Sequence, residues 1–200
     1  MSFTPAERVQ KLIRRQGMLR SRDLAAHRIP REYLSRLLAE GVVQRRTRGI
    51  YVLANAKPTE NQSLVEACLR VPHGIVCLLS ALRFHHLTTQ SPFETWLAID
   101  SKARLPKVDY PPIRFVRFSG PALTDGIEEH RVQKRKIRVT GPARTVIDCF
   151  VYRNKIGLYL ALEALRDCRR KKLATMDQLY SVAQARRMGR VMRPYLESLA

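Results

Sequence analysis

The hydrophobic pattern of residues 21–53 predicts two short helices followed by a β-hairpin. Leu34, Leu37 and Leu38 are spaced i, i+3, i+4, which is typical of the buried stripe of a helix. Ile29-Pro30 separates this helix from the preceding one, because proline disfavours helical geometry in the residue before it. Ser21 is predicted to be the N-cap of that first helix, since its hydroxyl can accept a bond from a free amide.

A hairpin with a basic turn is expected next. Gly41 is predicted to end the second helix in a left-handed conformation. Strand-like runs at 42–43 and 50–53 flank the polar segment QRRTRG at 44–49. This order of helix, turn, helix and hairpin predicts a winged helix-turn-helix.

The supporting helix and strand of such a domain are also predicted. Thr4 and Glu7 have the spacing of a capping box, and Pro5 suits the first helical position. The short run 18–20 is predicted to be a strand that pairs with the wing. Residues 1–54 are therefore predicted to form one winged helix-turn-helix domain.

Residues 63–200 are predicted to form a second domain, after a polar linker at 54–62. Strands are expected at 95–99 and 113–118, and a further strand or hairpin is expected at 132–139. After Gly141-Pro142 the pattern changes to helices, and the last helix ends near Leu199. The predicted fold class is α+β: an N-terminal winged helix-turn-helix followed by a mixed α/β C-terminal domain ending in helices.

The charge of the chain favours an acidic partner. Its 200 residues include 37 Lys and Arg against 17 Asp and Glu, a formal net charge of +20. A field of this sign favours nucleic acid. No apolar run approaches the ~18 residues of a membrane span, and the N-terminus lacks a signal-peptide core. We therefore expect a cytoplasmic protein without membrane contact.

The exposed side of the predicted second helix is small, polar and basic. A recognition helix uses its N-terminal end to reach base edges in the major groove, and arginines on a wing can pair with phosphates. The predicted contacts with double-stranded DNA are Arg31, Ser35, Arg36, Arg45, Arg46 and Arg48. The alternative is an ordinary helical hairpin with a solvated basic rim.

A second basic group is predicted on the strands of the C-terminal domain, in one region of a sheet. Its members are Arg114, Arg117, Lys134, Arg135, Lys136 and Arg138. They are candidates for additional phosphate contacts, each of which would steepen the salt dependence of DNA binding. The alternatives are a solvated face and a site for an acidic partner.

An enzymatic alternative depends on Asp100 and Lys102 at the end of a predicted strand. An acid, one residue and a lysine is an arrangement found in magnesium-dependent nucleases, but the metal needs a second carboxylate. Glu66 and Glu94 are the nearest upstream candidates. A nuclease with a winged-helix front domain is therefore the main alternative function, and a basic scaffold for RNA or ribosomes is a third.

Other candidates for chemistry are weak. His73, His85, His86 and Cys77 lack metal-ligand spacing, and Ser80 with His85 lacks an orienting acid. The four cysteines have no paired spacing and are interpreted as mostly buried thiols. We expect no catalytic residues, no metal and no cofactor.

Three segments resemble AbiEi-family antitoxins. IPREYLSRLLAEGVVQRRTRGIYVL resembles the winged helix of that family, and LLSALRFHHLTT and VTGPARTVIDCF resemble two later segments. The resemblance extends to about residue 185. It implies that Ser80 with His86, and Arg144 with Asp148, belong to the framework rather than to a catalytic site.

The resemblance also implies a function. AbiEi-like proteins are antitoxins of two-gene type IV toxin–antitoxin and phage-defence modules in bacteria, and the partner toxin is a nucleotidyltransferase. Their winged domain binds inverted repeats at its own promoter and represses transcription. The resemblance implies these partners here, without a required stable complex with the toxin and without enzymatic activity. A single winged domain reads one half-site, so a dimer or two molecules on a repeat would both serve.

Overall fold

The computed structural model describes residues 3–57 and 60–199 and contains two β-sheets. The strands are β1 (Leu19–Arg20), β2 (Val43–Thr47), β3 (Ile50–Leu53), β4 (Ile75–Val76), β5 (Thr95–Asp100), β6 (Ile113–Phe118), β7 (Ile127–Val132) and β8 (Arg135–Thr140). The first sheet is antiparallel in the order β1-β3-β2. The second is mixed, in the order β6-β5-β4-β8-β7.

Helices precede, separate and follow these strands. They are α1 (Pro5–Gln16), α2 (Glu32–Ala39), α3 (Gln62–Arg70), α4 (Leu78–Phe84), α5 (Pro142–Val151), α6 (Arg153–Ile156), α7 (Leu158–Arg170), α8 (Met176–Ala185) and α9 (Gly189–Glu197). The predicted fold class is confirmed: a winged-helix region comes first, and a mixed α/β region ending in helices follows.

The first helix and the segment after it test two predicted caps. The capping box is present, because the Thr4 hydroxyl accepts from the Glu7 amide and the Glu7 carboxylate accepts from the Thr4 amide. The predicted cap at Ser21 is wrong. Ser21–His27 is a 3₁₀ helix without a side-chain cap, and the Ser21 amide donates to the Gly49 carbonyl at 3.0 Å. Ser21 therefore joins this helix to the hairpin turn.

The buried face of α2 is narrower than predicted. Leu34 and Leu37 are buried, but Leu38 is 39% exposed. The prediction is wrong at Leu38 because successive residues lie about 100° apart on a helix, and Leu38 falls beyond the edge of the packed face. Gly41 has a φ of 68°, the left-handed conformation predicted for it.

The hairpin has longer strands and a shorter turn than predicted. β2 extends to Thr47, so that the turn consists of Arg48 and Gly49. The strand or hairpin predicted at 132–139 is part of a longer hairpin, which extends from Ile127 to Thr140. Gln133 and Lys134 are left-handed turn residues between β7 and β8. Two successive residues with positive φ are characteristic of the turn in a tight hairpin.

The larger core lies between the second sheet and the C-terminal helices. Leu78, Val146, Phe150, Leu165 and Met192 are among its buried residues. Three cysteines are buried and Cys68 is half-buried, as the sequence predicted for thiols without a disulfide framework. Burial raises the pKa of Cys68 to about 12. Across the described residues, every helix is too short or too polar to cross a membrane.

Candidate DNA-binding surface

The outer face of α2 carries three of the predicted DNA contacts. Arg31, Ser35 and Arg36 are all exposed. Arg36 donates from Nε to Glu40 Oε1 at 2.8 Å, and these two side chains are 72% and 45% exposed. Such a solvated i,i+4 pair contributes only about 0.3–0.5 kcal/mol. The guanidinium of Arg36 can therefore leave Glu40 for a base edge at little cost.

Arg45 lies on the same face of the first sheet as α2. It is directly opposite Tyr51 across the β2–β3 ladder, and residues paired in this way point to the same face. Tyr51 packs against the core formed by α1, the 3₁₀ helix and α2. Arg45 is therefore exposed beside the recognition helix, and Arg48 is exposed at the turn of the hairpin. Among the hydrogen bonds and ion pairs of residues 3–57 and 60–199, none involves the side chains of Arg31, Arg45 or Arg48.

Arg46 faces the opposite side of the sheet. The register of β2 shifts between Arg45 and Thr47, so that Arg46 is the extra residue of a bulge. Its Nε lies 3.6 Å from Oε1 of Glu66 on α3, whose side chain is only 2% exposed. The structure thus separates Arg46 from the other predicted DNA contacts and directs it toward the C-terminal region.

The helix α3 covers this opposite side of the first sheet. Met18, Ile50 and Val52 pack against Val65 and Leu69 in one hydrophobic cluster. Burial of these side chains fixes the orientation of the wing relative to α3. The face of the first sheet on which α2 lies is left uncovered by α3.

Polar contacts along α3 strengthen the same interface. Glu66 accepts from Gln62 at 3.0 Å, and Arg70 donates to the Thr47 hydroxyl at 2.7 Å. These orienting residues were not predicted from the sequence. Gln62, Glu66 and Arg70 are four residues apart, which places them on one face of a helix. This spacing is the sequence feature that could have predicted their shared role.

The hairpin between β7 and β8 supports the winged-helix region from a second direction. Lys134 Nζ donates to the Arg14 carbonyl at 2.8 Å, and Arg135 Nε donates to the Gln16 carbonyl at 3.2 Å. Arg135 also donates to the Met18 carbonyl. The last carbonyls of a helix lack intrahelical partners and carry partial negative charge. Two of the predicted phosphate contacts are therefore engaged at the C-terminal end of α1.

The other four basic candidates of the C-terminal region also have protein partners. Arg114 pairs with Glu94 at 2.6 Å, and Lys136 pairs with Glu129 at 3.0 Å. Arg117 donates to the Asp100 carbonyl at 2.9 Å, and Arg138 donates to the His73 carbonyl. β5 and β4 separate Arg114 and Arg117 from the β7–β8 hairpin. The six residues thus lie toward two different edges of the sheet, whereas the sequence predicted one region.

The candidate nuclease site is not assembled. The Asp100 carboxylate accepts from the Lys102 amide at 2.8 Å, so that it closes a turn at the end of β5. The two candidate second carboxylates are elsewhere, since Glu66 faces Arg46 and Glu94 pairs with Arg114. Among the described residues, no group of three or more His, Cys, Asp or Glu side chains could hold a metal ion. The nuclease alternative therefore has no support in the geometry.

Other chemistry-bearing side chains have structural partners. The Ser80 hydroxyl accepts from the Trp96 amide at 2.8 Å, and His85 Nε2 lies 2.8 Å from the Thr140 carbonyl. Arg144 and Asp148 form a buried ion pair with Nε and Oδ2 at 2.8 Å. These contacts join elements of the larger core.

The fold and the exposed surface define a winged-helix protein with an appended α/β region. Residues 7–54 match the family described as "Transcriptional regulator, AbiEi antitoxin". This match confirms the resemblance to AbiEi-family antitoxins over the winged-helix segment.

One solved structure extends the likeness in fold to most of the chain. The crystal structure of the RV2827C protein from Mycobacterium tuberculosis is similar with a TM-score of 0.59 and 13% sequence identity. The alignment covers 92% of this chain and 72% of that chain. No curated protein matches this chain in sequence. At this identity the likeness shows the fold alone.

Proposed function

We propose that the protein is a transcriptional regulator that binds its own promoter through α2 and the wing. The observation that supports this most strongly is the arrangement around the first sheet. Arg45 and Arg48 are exposed beside α2, which carries the exposed Arg36, while α3 covers the other face of the sheet. Base edges would be read by Ser35 and Arg36, and Arg31, Arg45 and Arg48 would contact phosphates.

The experiment that tests this proposal is a fluorescence anisotropy titration of the full chain. The upstream DNA of its own gene is compared with a scrambled duplex of equal length, at about 0.15 M salt, where surface charges are screened beyond ~8 Å. We expect at least a tenfold preference for the upstream DNA. Equal binding to both duplexes would contradict the proposal and favour a basic scaffold for RNA.

The antitoxin part of the proposal is supported by the family match at residues 7–54. On this proposal the protein represses the promoter that it shares with a nucleotidyltransferase toxin and counters that toxin. The test is co-expression of the neighbouring toxin gene from an independent promoter. We expect growth to be restored by the full chain and also by the Arg36→Ala variant, because we propose that the C-terminal region, and not α2, counters the toxin. Failure of the full chain to restore growth would contradict the antitoxin role.

A further inference from the structure

A cleft of about 670 Å³ lies in the C-terminal region, and its lining residues are not among the predicted DNA contacts. It is bounded by the segment 119–126, by Arg144 on α5 and by the end of α8. Its volume falls within the range of small-molecule sites. The cleft therefore has room for a ligand of the size of a nucleoside monophosphate.

A buried ion cluster forms the floor of this cleft. Asp148 accepts from Nε of Arg144 and from Nε of Arg186, both at 2.8 Å, and the Asp148 and Arg144 side chains are 0% and 2% exposed. Arg144 also donates to the carbonyls of Asp125 and Ala122. These hydrogen bonds fix the two guanidinium groups before any ligand arrives, which lowers the ordering cost of binding.

The charged side chains at the cleft carry a net positive charge. Arg186 uses its Nε for Asp148, and its side chain remains 21% exposed where it lines the cleft. Arg187 follows it in a left-handed turn between α8 and α9 and is exposed at the rim. Asp125 is the acidic residue among those that line the cleft, and Asp148 lies beneath it. Arg144, Arg186 and Arg187 together carry one more positive charge than these two carboxylates carry negative charges. The cleft therefore favours a ligand with negative charge.

The remaining walls are apolar. Pro121 and Ala122 line one side, and Val182 and Ala185 of α8 line the other. Ser119 and Ser181 also line the cleft and add hydroxyl groups to it. A guanidinium floor beneath apolar walls suits a molecule that combines a phosphate with a flat or apolar group.

We infer that this cleft binds a small phosphomonoester, with its phosphate on Arg186 and Arg187 and its apolar group between Pro121 and Val182. A planar fork of guanidinium donors matches phosphate geometry, and Arg186 engages Asp148 through Nε rather than through its two terminal nitrogens. Ser181 is exposed at the mouth of the cleft, so that its replacement can close the site without removing a core side chain.

The test is isothermal titration calorimetry of the full chain with adenosine 5′-monophosphate, adenosine and inorganic phosphate. We expect the monophosphate to bind at least tenfold more tightly than adenosine or phosphate alone, because only it contacts the floor and the walls together. Arg187→Gln should weaken binding by roughly tenfold, the effect of removing one charge-assisted hydrogen bond. Arg190→Gln is the matched control, since Arg190 is exposed nearby on α9 and does not line the cleft.

Two further variants locate the site. Ser181→Trp should abolish binding while circular dichroism and thermal unfolding remain those of the parent, whereas Arg45→Gln should leave binding unchanged. Equal affinity for the monophosphate and adenosine, or full binding by Ser181→Trp, would overturn the inference. Loss of binding in Arg45→Gln, or competition by duplex DNA, would overturn it as well and assign the phosphate to the wing. The DNA titrations are independent of all these outcomes.

Discussion

The wing and the β7–β8 hairpin are both arginine-rich hairpins, yet their arginines have different surroundings. The wing contains the sequence RRTR and the other hairpin contains KRKIR. Arg45 and Arg48 are exposed without side-chain partners among the described residues. Arg135 and Arg138 instead donate to backbone carbonyls of distant segments. The sequence thus shows where the cationic residues are along the chain. The tertiary packing determines which of them remain free to bind a ligand such as DNA.

The same contrast between exposed and engaged arginines includes Arg144 on α5. Its replacement should have the largest effect, which is a loss of stability. Arg144→Ala would leave Asp148 buried with Arg186 as its remaining partner, because Asp148 is paired with both arginines in the core. Removing one partner of a buried pair costs about 3–5 kcal/mol. We expect this loss in the free energy of unfolding measured by urea denaturation.

Arg45→Ala is the control for that measurement, since a substitution at an exposed position changes stability by less than about 0.5 kcal/mol. Similar losses for Arg144→Ala and Arg45→Ala would mean that the buried ion pair of Arg144 with Asp148 does not stabilise the fold as described.

The next effect concerns sequence discrimination by α2. Arg36→Ala should reduce the preference for upstream over scrambled DNA by roughly 1–3 kcal/mol if Arg36 reads a guanine. Arg193→Ala is a closely matched control. Arg193 pairs with Glu197 at 2.7 Å with 73% and 55% exposure, much as Arg36 pairs with Glu40. Anisotropy titrations should show a loss for Arg36→Ala alone, and an equal loss for both variants would argue against recognition by α2.

The smallest effect is a dependence of stability on pH. Burial lowers the pKa of His85 below its usual value, against the opposing effects of the Thr140 carbonyl and Glu128, while His130 and His86 lower it further. At a pH between the lowered folded pKa of His85 and its unfolded pKa, the folded protein thus binds fewer protons than the unfolded chain. The stabilisation is present above the unfolded pKa of about 6.5 and is lost as the pH falls from there through the lowered folded pKa. Urea denaturation between pH 7.5 and 5.5 should show this decline, and His85→Gln should flatten it.

Much of the fold was predictable because its signals are local. The capping box at Thr4, the left-handed Gly41 and the strand at 113–118 all follow from neighbouring residues. The strand expected at 18–20 also forms and pairs with the wing, although β1 is only two residues long. The cap and the turn thus follow from the chemistry of adjacent residues, and the strand follows from the alternation of apolar and polar side chains.

The partners of the arginines could not be predicted because they are distant in sequence. Arg135 binds carbonyls about 120 residues upstream, and Arg46 meets Glu66 through a bulge that has no sequence signature. The exposure of Leu38 depends on where the core ends, which helical spacing does not show. These tertiary contacts separate the candidate DNA contacts from the cations that hold the fold together.

The salt dependence of DNA binding tests this separation most directly. The slope of log K against log salt concentration is negative, and it becomes shallower by about one unit for each phosphate that the protein no longer neutralises. The slope should be measured for the parent and for Arg45→Gln, Arg46→Gln and Arg117→Gln on the upstream duplex. We expect Arg45→Gln alone to flatten it by about one unit, because Glu66 faces Arg46 and backbone carbonyls hold Arg117. An unchanged slope for Arg45→Gln, or an equal flattening for Arg117→Gln, would contradict the account.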